Sequence, residues 1–493
     1  MKYIYKHLAM LSLLLTLASC DDFLDINTNP NTSTEVPPGT VLTNAAISLS
    51  QNMLNTLNPN GEAYIQHHKP VVVLTGADTY NYSSIGNNNF WEFTFYGDII
   101  KDMNLAAALA ENAGKSNGVA QIKTVQAMAW MIGVDTWGTM PFTESNDAAI
   151  LFPKFDTGDV IYSGIIDLLD DAIAGIDLDD QSSLTTITDF DPLYGGNMNN
   201  WLAFANTLKL RCLMRISYVE DRSAEIADLL STGTFIDALD GSKNAEFEYF
   251  AVRVNQNFDY ATFDNFVSFG SFQLDASGNR QHQRWRLASE TMVDLLTNRN
   301  DPRMWAFFQR DIGNVAGPIT GALNGAGALP ASVDRGYVSL FYIRQDKSDE
   351  WLLASEYYLL AAEAYARNLA PGGLAAAQTA LENGINASMN HFDGSAFEIS
   401  DADKTAFLST IDLSTEADPE AFIQEQQYIA LNFQGSEAWA NWRRTKVPSL
   451  PVPVGAPITT IIRRVEIPSS EIESNINAPE VSPRIDEKVY FER

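Results

Sequence analysis

From Asp78 to Trp91 the chain reads "DTYNYSSIGNNNFW", fourteen residues dense in groups that recognise ligands. Tyr80, Tyr82, Phe90 and Trp91 offer flat aromatic faces; Asp78, Asn87, Asn88 and Asn89 offer carboxylate and amide groups. A sugar ring has an apolar C–H patch and a fringe of hydroxyls, so this mixture on a loop suits it. Trp91 also opens the helical pattern that follows and reads equally as core. A second such segment runs from Asn255 to Trp285. Its Phe263, Phe266, Phe269 and Phe272 recur every three residues, which fits neither a helix face nor a strand, so irregular structure over a satellite core is predicted. Tyr260 and Trp285 carry polar handles and are the better binding candidates there. The candidate ligand contacts are therefore Asp78, Tyr80, Tyr82, Asn88, Trp91, Tyr260 and Trp285. The two loops are expected to converge on a shallow groove.

Catalytic signatures are scarce. "AGKS" at 113–116 lacks the glycine that a phosphate-binding loop needs, because Leu109 stands there. Neither H-E-x-x-H nor G-x-S-x-G occurs. Adjacent His67 and His68 point different ways with no third ligand indicated, so a core or surface pair is favoured over a metal site. "GIDLDDQ" (175–181) lacks the glycine and terminal glutamate of a calcium loop. No cofactor is indicated; calcium is permitted by the acidic loops and demanded by nothing. Trp439, Trp442, Arg443 and Arg444 could hold an anion, but arginines in so acidic a chain usually find carboxylates of their own, and a structural role is favoured. The chain is read as a non-enzyme.

Another chemistry lies near the start, at a thiol. Lys2 and Lys6 precede an apolar run from Leu8 to Ala18, the layout of a secretory signal and too short to span a bilayer. Leu17-Ala18-Ser19-Cys20 ends it, and the acidic "CDDFLD" follows. Cys212 is the only other cysteine, within an apolar helical pattern, so no internal disulfide is expected and Cys212 reads as a small buried hydrophobe. The whole chain carries 32 basic and 62 acidic residues; without Lys2 and Lys6 the balance is 30 against 62, a net of −32. Such a surface repels nucleic acid and anionic headgroups.

The elements that must position these groups are mostly helices. Residues 20–40, rich in Asn, Thr and Pro, read as a tether, and the globular part, 41–493, is expected to begin near Val41. Between 353 and 389, Leu353, Tyr357, Leu360 and Ala364 step by three and four. Pro371-Gly372-Gly373 breaks the pattern, and Leu374, Ala377, Leu381, Ile385 and Met389 resume it. This is a helical hairpin of tetratricopeptide-like size. Similar alternation appears at 96–136 and 159–219. Asp418-Pro419-Glu420 is a helix start, whereas "PSLPVPVGAP" cannot be helix or central strand.

Six fragments carry a resemblance: "DTWGTMPFTES" (135–145), "WLAFANTLKLRCLMRIS" (201–217), "SETMVDLLTNRNDPRM" (289–304), "SEYYLLAAEAY" (355–365), "EQQYIALNFQGSEAWANWRRTKVP" (425–448) and "IIRRVEIPSSEIESN" (461–475). In this order, over nearly the whole chain, they resemble the successive motifs of the SusD/RagB family. Leu17-Ala18-Ser19-Cys20 resembles a bacterial lipobox, which makes Cys20 the lipidation point after a signal at 1–19. The resemblance implies a mostly helical fold of four tetratricopeptide-like hairpins with a second, loop-rich region. It further implies a lipid-anchored protein of the Bacteroidota outer membrane, facing the cell exterior, that captures oligosaccharides or peptides for a SusC-like TonB-dependent transporter. Two alternatives stay open: a helical-repeat adhesion or scaffold lipoprotein, and a polysaccharide-degrading lipoprotein with paired carboxylates.

Overall fold

The computed structural model describes residues 36–70, 76–81, 89–180, 191–251, 256–257, 272–274, 280–283, 286–310, 318–327 and 335–493. Its first helix, Pro38–Asn52, starts slightly before the expected boundary at Val41. Pro37 stands at the N-cap and Pro38 fills the first turn, where a missing N–H costs nothing. Val41, Leu42, Ala45 and Leu49 then turn inward.

The architecture is mostly helical, as expected, and successive helices pack on one another. Lys101–Asn112 packs on Ser116–Trp137, which packs on Gly158–Gly175, which packs on Met198–Ile216; Ala354–Ala366 pairs with Gly373–Asn390, and Pro419–Ala430 with Gly435–Thr445. Local chemistry sets the helix ends. Asn197 accepts from the backbone N–H groups of Asn199 and Asn200. Asp418 accepts from Ala421 N at 3.0 Å, with Pro419 in the first turn. In the 354–390 hairpin the chain reverses through Gly372 at φ +141°, a conformation closed to L side chains. The proline-rich stretch after Thr445 is neither helix nor strand, and Val454 is exposed. Cys212 is fully buried, and burial pushes its thiol far up, so it serves as an apolar filler.

Three-residue strands, too short for a readable period, build a small sheet that the sequence reading missed. Its order is His68–Pro70, Arg286–Ala288, Gly336–Val338, Phe308–Arg310, with every pairing antiparallel. A further pair, Phe272–Leu274 with Arg280–Gln283, falls inside the segment expected to be irregular and corrects that expectation in part.

Charged side chains, rather than hydrocarbon alone, join the helices at the centre. Arg211 forms a two-pronged pair with Glu356, both contacts at 2.6 Å, and donates to Trp351 O at 2.8 Å. Arg215, one turn on, meets Glu437 and lies 3.5 Å from Asp135. Arg444 grips Glu363 with both terminal nitrogens, while Gln427 donates to the same carboxylate at 2.9 Å. Burial would raise the Glu363 carboxyl, but Arg444 overrides it and holds the group down at about 2. Arg443 lies over the Trp439 ring at 3.6 Å and donates to the Arg463 and Asp135 carbonyls. The Trp–Arg motif is structural, as favoured.

Beside this network the helices Asn58–Tyr64 and Gly435–Thr445 touch through backbone. A Cβ on Gly61 would lie 2.1 Å from Gly435 O, and one on Gly435 would lie 2.1 Å from Asn58 O. Asn58 Oδ1 accepts from Ser436 N at 3.1 Å and from its hydroxyl at 2.9 Å.

Two predictions follow from these contacts. Gly435→Ala is expected to destabilise by about 1–3 kcal/mol or more in chemical denaturation, since the clash is with backbone; an unchanged midpoint would contradict the close approach. The depressed Glu363 carboxyl contributes stability that is complete above its ordinary range and lost as pH falls from about 4.3 towards about 2. Glu363→Gln should be less stable than the parent at neutral pH, with the gap narrowing across that acid window in melting experiments.

Candidate functional site

Pro70 stands opposite Arg286 in the antiparallel register of the sheet's first two strands. The chain therefore leaves one strand at residue 71 and enters its neighbour from residue 285 at the same end of the sheet. The two aromatic segments are thus hung from adjoining strands, a positioning that their sequences did not disclose.

The turn that follows the strand His68–Pro70 is fixed firmly. Lys69 and Asp78, both buried, pair at 3.3 Å, and Asp78 Oδ2 also accepts from Gly325 N at 3.2 Å. Asn324 Nδ2 donates to His68 O at 3.0 Å, binding the same stretch to the strand. Gly76 and Tyr80 take left-handed backbone conformations around the short helix Ala77–Thr79. Tyr80 consequently turns inward, donates its hydroxyl to Tyr64 O at 2.9 Å and packs edge-on to the Tyr64 ring at 6.1 Å.

Three expectations are corrected by this geometry. Asp78 is 2% exposed, Tyr80 1% and Trp91 3%, so none presents a surface to a ligand. Asp78 serves its lysine and a backbone amide. Tyr80 is a buried strut whose phenol is pushed well up by burial. Trp91 joins an aromatic cluster, edge-on to Trp137 at 4.8 Å and stacked with Phe155 at 6.1 Å, which settles its two readings in favour of core. Tyr82, Asn88, Tyr260 and Trp285 lie outside the described residues, as do Cys20, Phe263, Phe266 and Phe269. His67 and His68 are buried; His67 Nδ1 meets Glu62 at 2.7 Å, and burial lowers His68 well below its ordinary value. Among the described residues no group of three or more His, Cys, Asp or Glu side chains could hold a metal ion.

Two open depressions lie elsewhere. One, of about 390 Å³, is lined by Arg344, Lys347, Asn390 and His391. Two of its charges are already committed: Lys347 and His391 both pair with Glu350, whose carboxyl they hold down at about 2 against the effect of burial. The other, of about 710 Å³, runs beside the exposed indole of Trp305. Sequence reasoning passed over Trp305 because "MWAFF" reads as an unbroken apolar run. The polar "NRNDPR" just before it was the available signal.

Comparison with known proteins agrees with this fold. A family model described as "Starch-binding associating with outer membrane" matches residues 30–468. The chain belongs to the SusD-like family. Among solved structures, a chitin-binding protein is 21% identical, with a TM-score of 0.75 over 89% of this chain and 94% of its own. A Bacteroidetes SusD-like protein is 20% identical, with a TM-score of 0.74 over 89% and 95%. A SusD homologue from Bacteroides fragilis is 18% identical, with a TM-score of 0.73 over 93% and 99%. No curated protein matches. The family is thus one of starch-binding proteins associated with the outer membrane, and among the described residues no helix is long and apolar enough to cross a membrane.

Because Tyr80 is a strut, Tyr80→Ala is expected to cost about 3–5 kcal/mol of stability, as loss of a large buried ring does. Thermal melting checks it; a variant that melts like the parent would return Tyr80 to the list of ligand contacts.

Proposed function

We propose that this SusD-like protein captures oligosaccharides at the cell surface and passes them to a TonB-dependent β-barrel transporter in the outer membrane, itself held there by a lipid on Cys20. The observation that carries this reading is the family match over 30–468, which encloses the six ordered motifs apart from the last residues of the sixth. The lipobox-like Leu17-Ala18-Ser19-Cys20 supports the anchor. A net of −32 on the mature chain keeps the body off anionic membrane surfaces. In this role the chain binds and its partner supplies the energy, so no catalytic group is required. Short peptides are the second ligand class that a shallow aromatic groove admits.

With Asp78, Tyr80 and Trp91 committed to the scaffold, the ligand contacts proposed on the two segments are Tyr82, Asn88, Tyr260 and Trp285. The pairing of Pro70 with Arg286 supports their convergence, since it roots both segments at one end of the sheet. Shallow stacking desolvates little surface, so affinity should be micromolar or looser.

The test is calorimetric titration with oligosaccharides, joined to mild detergent extraction of cells that express the adjacent transporter gene. The expected outcome is saturable oligosaccharide binding that Tyr82→Ala or Trp285→Ala weakens by about 2 kcal/mol, with recovery beside a β-barrel. Binding unaffected by either substitution, or recovery always as a lone chain, would overturn the corresponding half of the reading.

A further inference from the structure

The sheet's other edge carries chemistry that the loop pair does not use. Strand Phe308–Arg310 is the edge opposite His68–Pro70, three inter-strand spacings or roughly 14 Å away. The short helix Met304–Phe307 feeds that strand and puts Trp305 outward, 47% exposed, while Met304, Ala306 and Phe307 are buried beneath it. A free indole is costly to leave in water, and here it borders the 710 Å³ groove. The Arg310 guanidinium lies over one face of the ring at 4.0 Å and holds the indole in place, and about half of the side chain stays exposed.

The groove is graded from apolar floor to polar rim. Met304, Ile319 and Ile399 are buried at its base. Asn300, Glu398 and Asp403 stand exposed at its margin. Asp403 accepts from the Ser400 hydroxyl at 2.6 Å and Glu398 from Gly394 N at 3.0 Å, so both carboxylates are placed and not trailing. Among the described residues that line the groove there are carboxylates and no lysine or arginine; the nearby Arg310 guanidinium lies over the Trp305 ring.

We propose that this groove is a second carbohydrate subsite, separate from the loop pair, that takes a neutral hexose oligomer with Trp305 as its stacking platform. The flat indole covers the C–H face of one ring, the apolar floor accommodates its edge, and Asn300, Glu398 and Asp403 bond its hydroxyls. The carboxylates of the rim outnumber the one guanidinium over the platform and disfavour uronic acids, which sets the ligand class as neutral.

The full chain is titrated with maltoheptaose, cellohexaose and oligogalacturonate, in the parent, in Trp285→Ala, and in Trp285→Ala with Trp305→Ala. At least one neutral oligomer should still bind the Trp285→Ala protein, and adding Trp305→Ala should weaken that residual binding about tenfold or more. Trp305→Phe should keep part of it. As a half-exposed residue, Trp305 should be removable with a modest drop in melting temperature and a transition that stays cooperative, which separates lost contact from lost fold. Three results would overturn the proposal: residual binding indifferent to Trp305, oligogalacturonate bound as tightly as the neutral oligomers, or no neutral oligomer bound by Trp285→Ala at millimolar concentration.

Discussion

Arg211, Arg215 and Arg444 lie almost wholly out of water, and the helices around them are arranged so that each meets a carboxylate. Taking a guanidinium out of solvent is expensive, and removing its partner typically costs about 3–5 kcal/mol because a charge is then stranded. The partners come from far along the chain: Glu356 lies 145 residues beyond Arg211, and Glu437 lies 222 beyond Arg215. The helices 198–216, 354–366 and 435–445 are therefore obliged to assemble together. Hydrophobic packing alone would tolerate a shift between them; two-pronged Arg–Glu geometry does not.

That rigidity passes outward to the edge strand His68–Pro70 through ordinary contacts. The Gly61–Gly435 approach presses the helix Asn58–Tyr64 onto the network's last helix, and His68–Pro70 follows that helix within a few residues. Tyr428, from the helix before Gly435, donates to Ile65 O at 2.8 Å at the same junction. Lys69, Asp78 and Tyr80 then clamp the ensuing turn. Residues that looked like ligand contacts are thus the last links between the charged core and the chain beyond Asn81.

Much of this was legible in the residues, and each failure has a physical cause. The 353–389 hairpin announced itself through its period and its glycine break, and Asp418-Pro419 through the chemistry of a helix start. Arg443 and Arg444 were readable as structural from the scarcity of positive charge. The inward turn of Asp78 and Tyr80 was not readable, because a polar aromatic loop has the same composition whether its side chains point out or in. What decides the matter is a lysine nine residues back and a glycine amide 247 residues ahead. The strands escaped because three residues cannot display a period of two. Trp305 escaped for the opposite reason, as an outward residue inside a run whose neighbours are all buried.

The pairing of Pro70 with Arg286 has an evolutionary consequence. Two segments rooted on neighbouring strands can lengthen, shorten or change sequence while the sheet register and the charged core stay as they are. Diversification is thereby uncoupled from foldability. Natural selection can redraw such segments one at a time, and sequences can drift to about 20% identity while the same architecture persists.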